Sequence, residues 1–130
     1  MNIKVYVTEK VKDKYQLAAI KEYDKRLSRY CKIKQVIIKE NELDKIPSKS
    51  YKIGLNDKSD TIMSEDLANK LEHLALTGKS DVAIVLVDQV QADEYLSLSS
   101  MTMSTGMTLT VLYEQIYRAF RIMKNEPYHK

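Results

Sequence analysis

The chain has 130 residues, 44% of them apolar and 30% charged, which suits one soluble unit with its own core over 1–130 and excludes wholesale disorder or two independent domains. No apolar stretch approaches the roughly 18 residues of a membrane span, and Met1-Asn2-Ile3-Lys4-Val5 lacks the form of a secretory leader, so a cytoplasmic protein that avoids membranes is expected. The net charge of +3 hides an asymmetry: residues 1–40 hold 11 Lys/Arg against 5 Asp/Glu, whereas residues 41–130 hold 10 against 13, which makes the basic end a candidate for phosphate contact.

Ile3 to Val7 alternates and reads as a first strand. From about Asp13 the period changes: Tyr15, Ala19, Tyr23, Leu27 and Tyr30 fall on one stripe of a helix ending near Cys31. A lone cysteine makes no internal disulfide, and Cys31 with His73 and His129 gives no metal-ligand spacing, so no metal is expected and the thiol reads as a small apolar side chain. Val36 to Ile38 forms a second strand, Glu40 to Ser50 a surface connection, and Tyr51 to Leu55 a third strand weakened by Gly54. Asn56 to Ser59 is a turn.

Ser64 is placed as an N-cap, with Glu65 and Asp66 suiting the positive end of the helix dipole. Leu67, Leu71 and Leu74 give that helix its buried stripe, and Gly78 ends it. His73 lies beside the stripe as a structural or exposed residue. Val82 to Val87 has the continuous apolar character of a central strand, and Leu96 to Ser99 forms a shorter one. Met101, Met103 and Met107 read as adaptable core filling. The last helix is expected over about 108–124, with Leu109, Leu112, Ile116, Ala119, Phe120 and Met123 on one face and Glu114 four before Arg118. Alternating strands and helices point to an α/β layered fold with a partly parallel sheet and a C-terminal helix.

Three segments together resemble the RlmH family of SPOUT-class methyltransferases, which use S-adenosylmethionine to methylate N3 of a pseudouridine in large-subunit rRNA. The first runs from Lys10-Val11-Lys12-Asp13-Lys14-Tyr15 through Ala19-Ile20-Lys21-Glu22-Tyr23-Asp24-Lys25-Arg26-Leu27 to Tyr30. The second is Gly78-Lys79-Ser80-Asp81. The third, and most specific, is Leu96-Ser97-Leu98-Ser99-Ser100-Met101-Thr102, then Glu114-Gln115-Ile116-Tyr117-Arg118-Ala119-Phe120-Arg121-Ile122-Met123 and Glu126-Pro127-Tyr128-His129-Lys130. The resemblance implies a SPOUT-like fold with a C-terminal trefoil knot, a homodimer, and a cofactor held near the partner subunit. It also implies that Leu98, Ser99, Ser100, Met101 and Thr102 contact S-adenosylmethionine. Tyr128 and His129 would serve at the target base, with Lys10, Lys12, Arg118, Arg121 and Lys130 on ribosomal RNA.

The departures are as informative. Where the family has a Gly-Gly-x-x-Gly loop and a helix, Val87 is followed only by Asp88 to Tyr95, and no glycine lies between Gly78 and Gly106. Such a loop needs glycine so that backbone amides can approach the donor. After Thr102 the family's proline and histidine are replaced within Met103-Ser104-Thr105-Gly106, Glu9 stands where a glycine usual follows the first strand, and the middle region is short. A parallel crossover normally takes about a dozen residues, so the brief Asp88 to Tyr95 link argues for a tightened or lost knot.

The expected function is therefore an RlmH-like paralogue with impaired or lost S-adenosylmethionine use, needing no cofactor, that keeps dimerisation and contact with ribosomal RNA or the ribosome. Two other readings stay open: an active pseudouridine-N3 methyltransferase with a rebuilt donor site, and a module that binds a partner other than RNA.

Overall fold

The β-branched runs of the sequence enter one sheet, and the periodic segments between them cover one of its faces. In the computed structural model, which describes residues 1–129, strands β1 (Asn2–Val7), β2 (Lys32–Ile37), β3 (Tyr51–Leu55), β4 (Asp81–Val85) and β5 (Glu94–Leu96) alternate with helices α1 (Lys14–Leu27), α2 (Ser64–Leu76) and α3 (Thr105–Met123). The strand order is β2-β1-β4-β3-β5, and all four pairings are parallel. This is the SPOUT-like α/β architecture.

Side-chain alternation divides the strands between two unequal cores. On one face Ile3, Val5, Val7, Ile53, Leu55, Val82 and Ile84 pack under all three helices. On the other, Tyr6, Ala83 and Val85 meet Ile38, Ile46, Val87 and Val90. The second cover comes from a 3₁₀ turn at Glu40–Lys45 and from the link after β4, not from a helix. It shields only the C-terminal half of that face. Ile46, within the expected surface connection, is thus buried.

Helix ends follow their local chemistry. The Asp13 carboxylate accepts from the Tyr15 and Gln16 amides, at 2.9 Å each, and starts α1. Ser104 does the same for Met107 at the start of α3, three residues before the expected beginning. At α2 the cap is Met63 and not Ser64. Asp66 accepts from the Met63 amide, and the Ser64 hydroxyl is drawn away to Gln115, 2.5 Å distant on α3. Gly78, at φ +80°, closes α2 as expected, with Lys79 N–H donating to Leu74 O and Gly78 N–H to Ala75 O.

Two expected burials fail. Tyr15 is 75% exposed because α1 buries Ile20 and Leu27, and its first turn does not reach the core. Met101 is exposed and Met103 half-buried because the segment before α3 lies over the ends of the strands and not inside the sheet-helix layer, and Met107 is exposed on the first turn of α3.

The link from β4 to β5 shows how a short crossover works. These strands are not neighbours, since β3 lies between them. Val85 sits opposite Gly54, and Glu94 opposite Ile53, so the chain steps back by one residue level as it crosses β3. A longer return is needed only where the next strand starts at the bottom of the sheet. The short link therefore spans β3 without a crossover helix. β5 is displaced to Glu94–Leu96, and Ser97 makes only an isolated bridge to Thr61.

Tyr95 fixes this link. Its hydroxyl donates to Val90 O at 2.9 Å and accepts from Ala92 N–H at 3.0 Å, while its ring lies across Gly54, its partner on β3. A Cβ at Gly54 would come 2.6 Å from Cδ1 of that ring. Glycine here makes room for a locking aromatic. Gly54→Ala is expected to destabilise the protein by about 1–3 kcal/mol, read as a lower urea midpoint; an unchanged midpoint would show that Tyr95 moves freely.

Candidate functional site

The cleft sits at the C-terminal ends of β3 and β4, where a parallel sheet commonly offers its ligand crevice. Leu55, Asn56 and Asp57 follow β3, Leu86 and Asp88 follow β4, and Leu98, Ser99, Met101 and Met103 come from the segment before α3. Asn56 shapes one wall by accepting from the Lys58 and Ser59 amides. The Thr102 hydroxyl donates to Asp57 at 2.8 Å and ties the far wall to it. Of the expected cofactor residues, Leu98, Ser99 and Met101 line the cleft, whereas Ser100 is exposed beside it and Thr102 acts through Asp57.

The cleft holds about 180 Å³. Pockets that enclose a ligand the size of S-adenosylmethionine run from about 300 Å³ upward. Its lining contains no glycine and carries the carboxylates Asp57 and Asp88, and the 86–93 link is held down on β3 by Tyr95.

A second hollow, about 190 Å³, opens beside the cleft between α2 and α3, with Leu98 lining both. Its other walls include Met63, Ser64, Val111 and Gln115. Beyond it lies the C-terminal tail. Glu65, next to Ser64, faces His129 Nε2 at 3.4 Å.

The tail is placed by the end of α3. Asn125 adopts φ 55°, so that Glu126 N–H donates to Arg121 O and Asn125 N–H to Ile122 O, and the chain turns back along the helix. Tyr128 then packs edge-on against Tyr117, ring centroids 4.9 Å apart, within a group that includes Tyr23, Tyr30 and Phe120. Its hydroxyl donates to Glu114 at 3.1 Å and lies 3.5 Å from that of Tyr23. Burial, the Tyr23 hydrogen bond and the Glu114 charge all push the phenol well above its ordinary range. Tyr128 therefore stays protonated at neutral pH and serves as a donor, never as a phenolate base.

His129 lies between Arg118, whose Nη1 is 3.2 Å from Nδ1, and Glu65. A guanidinium only donates, so Nδ1 accepts and the ring proton belongs on Nε2, toward Glu65. Arg118 is itself held by Glu114 at 3.2 Å and covers the Tyr128 ring. Arg121 is turned inward: it donates to Glu126 at 3.0 Å, to Pro127 O at 2.9 Å and to Tyr30 at 3.4 Å. Lys10 and Lys12, both exposed, flank Val11 near Gly106, at the cleft end of α3. Lys130 lies outside the described residues.

The cleft borders the first turn of α3, and the tail turns back from its last turn to reach Glu114 and, through His129, Glu65 beside the second hollow.

Over residues 1–129 the chain matches the model of a family described as predicted SPOUT methyltransferases. It is also 42% identical, over 135 aligned positions covering both proteins end to end, to ribosomal RNA large subunit methyltransferase H 1 of Thermoanaerobacter sp.. The ribosomal RNA large subunit methyltransferase H of Clostridium botulinum is 39% identical over 159 positions, again covering all of both chains. The chain belongs to the RlmH family of SPOUT methyltransferases.

Within this RlmH protein, the partners that reading along the chain missed are Glu65, Glu126, Tyr23 and Tyr30, which orient the tail from three helices or their edges. Only the Glu114 and Arg118 spacing was visible in advance. Among the described residues no group of three metal-ligating side chains occurs, and no helix is long and apolar enough to cross a membrane. Cys31 is buried, its thiol pushed up to about 11 chiefly by that burial, as suits a packing residue.

Asn125 is the hinge of the tail. Asn125→Gly is expected to keep stability, whereas Asn125→Val should cost about 1–2 kcal/mol, since a β-branched side chain resists the left-handed region. Thermal melts measure this, and in the Val variant the proton contacts between Tyr128 and Tyr117 should weaken by NMR.

Proposed function

We propose that this protein is an RlmH-type dimer that binds ribosomal RNA in the cytoplasm with its use of S-adenosylmethionine impaired. The observation that carries this reading is the cleft: about 180 Å³, without glycine, and bordered by Leu86 and Asp88 at the start of the link that Tyr95 pins to β3.

Dimerisation is supported by the family likeness and by apolar side chains left exposed by the single chain. Around the cleft end, Met101 (74% exposed), Met107, Tyr15 and Leu17 form an apolar surface suited to a partner. The register of β4 and β5 is compatible with the family's knotted C-terminal end. RNA contact is supported by Arg118 and His129 at the exposed tail and by Lys10 and Lys12 near the cleft, two groups that a dimer can bring together. Chemically, Tyr128 offers a fixed hydrogen-bond donor and His129 Nδ1 an acceptor screened by Arg118; both suit holding a base.

A second reading is favoured by one comparison. The Thermoanaerobacter relative aligns end to end over only 135 positions and is named a methyltransferase, so compactness alone does not exclude methyl transfer by a site rebuilt on dimerisation.

Calorimetric titration with S-adenosylmethionine and its demethylated product separates the two: the impaired reading expects no binding below millimolar concentration, and a micromolar constant would overturn it. Tyr128→Phe keeps the packing but loses the donor, and should lower stability by about 1 kcal/mol and weaken binding of a large-subunit rRNA fragment. Absence of salt-sensitive RNA binding in the unaltered protein would favour a partner other than RNA.

A further inference from the structure

We propose that a groove on the helix-free face of the sheet binds the phosphate backbone of a single RNA strand. It holds about 350 Å³ and is lined by Lys4, Lys32, Lys34, Asn2, Ile33 and Asp81, with the β1 backbone at Ile3. Lys4, Lys32 and Lys34 share the face of Tyr6 and Val36 by strand alternation, on the half that the 3₁₀ turn and the 86–93 link leave open.

The charge arrangement points to an anionic occupant. Lys4 and Lys34 are direct partners across β1 and β2, on strands about 4.8 Å apart, and like charges placed opposite each other are unfavourable unless something neutralises them. None of the three lysines forms an ion pair among the described residues. The groove's acid, Asp81, is occupied by the Asn2 amide at 3.4 Å and Lys49 at 3.9 Å. Lysines on an edge strand often serve only to block sheet extension, and that suffices for Lys32 and Lys34 on β2. It does not suffice for Lys4, which lies on β1 between β2 and β4.

Lys32 and Lys34 stand about 7 Å apart along the strand with Lys4 beside Lys34, so the three charges form an L-shaped patch that can meet successive phosphates and does not close around one compact anion. Lys32 also follows Tyr30 and Cys31 closely, which puts the groove around the sheet edge from Tyr30 and the tail it holds through Glu126. A strand of RNA engaged at the tail can continue into the groove. The inference rests on the RNA-binding reading above and adds a second, independent contact to it.

The test uses the full chain and the double variant Lys4→Gln/Lys34→Gln, titrated with a short fluorescein-labelled single-stranded RNA across a range of salt. The variant is expected to bind roughly tenfold more weakly, with its slope of log affinity against log salt reduced by about 1.4, the value for two lost phosphate contacts on a single strand. Its melting temperature should be equal or a few degrees higher, because the change relieves repulsion. If the unaltered chain binds RNA and the variant keeps both affinity and slope, the groove is excluded while the tail reading stands; no RNA binding by either at low salt overturns both. Lysine-dependent capture by phosphatidylserine vesicles without RNA binding would overturn RNA as the occupant, and a melting temperature lowered by several degrees would mark the lysines as structural.

Discussion

Helix α3 is clamped on both sides, and the placement of every functional group follows from that. Leu109, Leu112, Tyr113, Ile116, Ala119 and Phe120 are each buried, at roughly 1.5–3 kcal/mol for each large apolar side chain. They join α3 to α1, α2 and the sheet in one core. A rod held this firmly fixes the distance between its ends: the first turn borders the strand-end cleft, and the last turn, through Asn125, folds the tail back on Glu114 and Arg118.

The tail is built so that its charges satisfy one another. Glu114 receives Tyr128 and Arg118; Arg118 meets His129; Glu126 receives Tyr30 and Arg121. Such pairs lie partly out of water, where each hydrogen bond to a charged group is worth more than a neutral one. The consequence is order in a terminal segment that would otherwise fray. It also explains why Arg121 is a supporting residue in this structure: its Nη1 and Nη2 donors are directed to the tail and to Tyr30.

Economy of length reshapes the other end. Residues 86–93 cross β3 with one level of return, and Tyr95 over Gly54 replaces the ordering that a crossover helix would provide. The same economy leaves the second sheet face half covered. The uncovered half carries Lys4, Lys32 and Lys34, at the opposite end of the strands from the cleft.

Much of the scaffold was legible because its signals are local. Apolar periodicity marked α2 and α3, Gly78 marked a left-handed turn, and the β3 boundaries at Tyr51 and Leu55 agree with the structure. The family likeness rested on contiguous residues, and it held. By itself the sequence determined most of the strands and helices and that no glycine lies between Gly78 and Gly106, since these depend on neighbours along the chain. Only the tertiary structure decided that β3 separates β4 from β5, that Met101 and Tyr15 face outward, that Glu65 and Arg118 flank His129, and that Lys4 lies opposite Lys34. Those facts depend on register and on contacts between residues far apart in the chain, whose energies no short window of sequence contains.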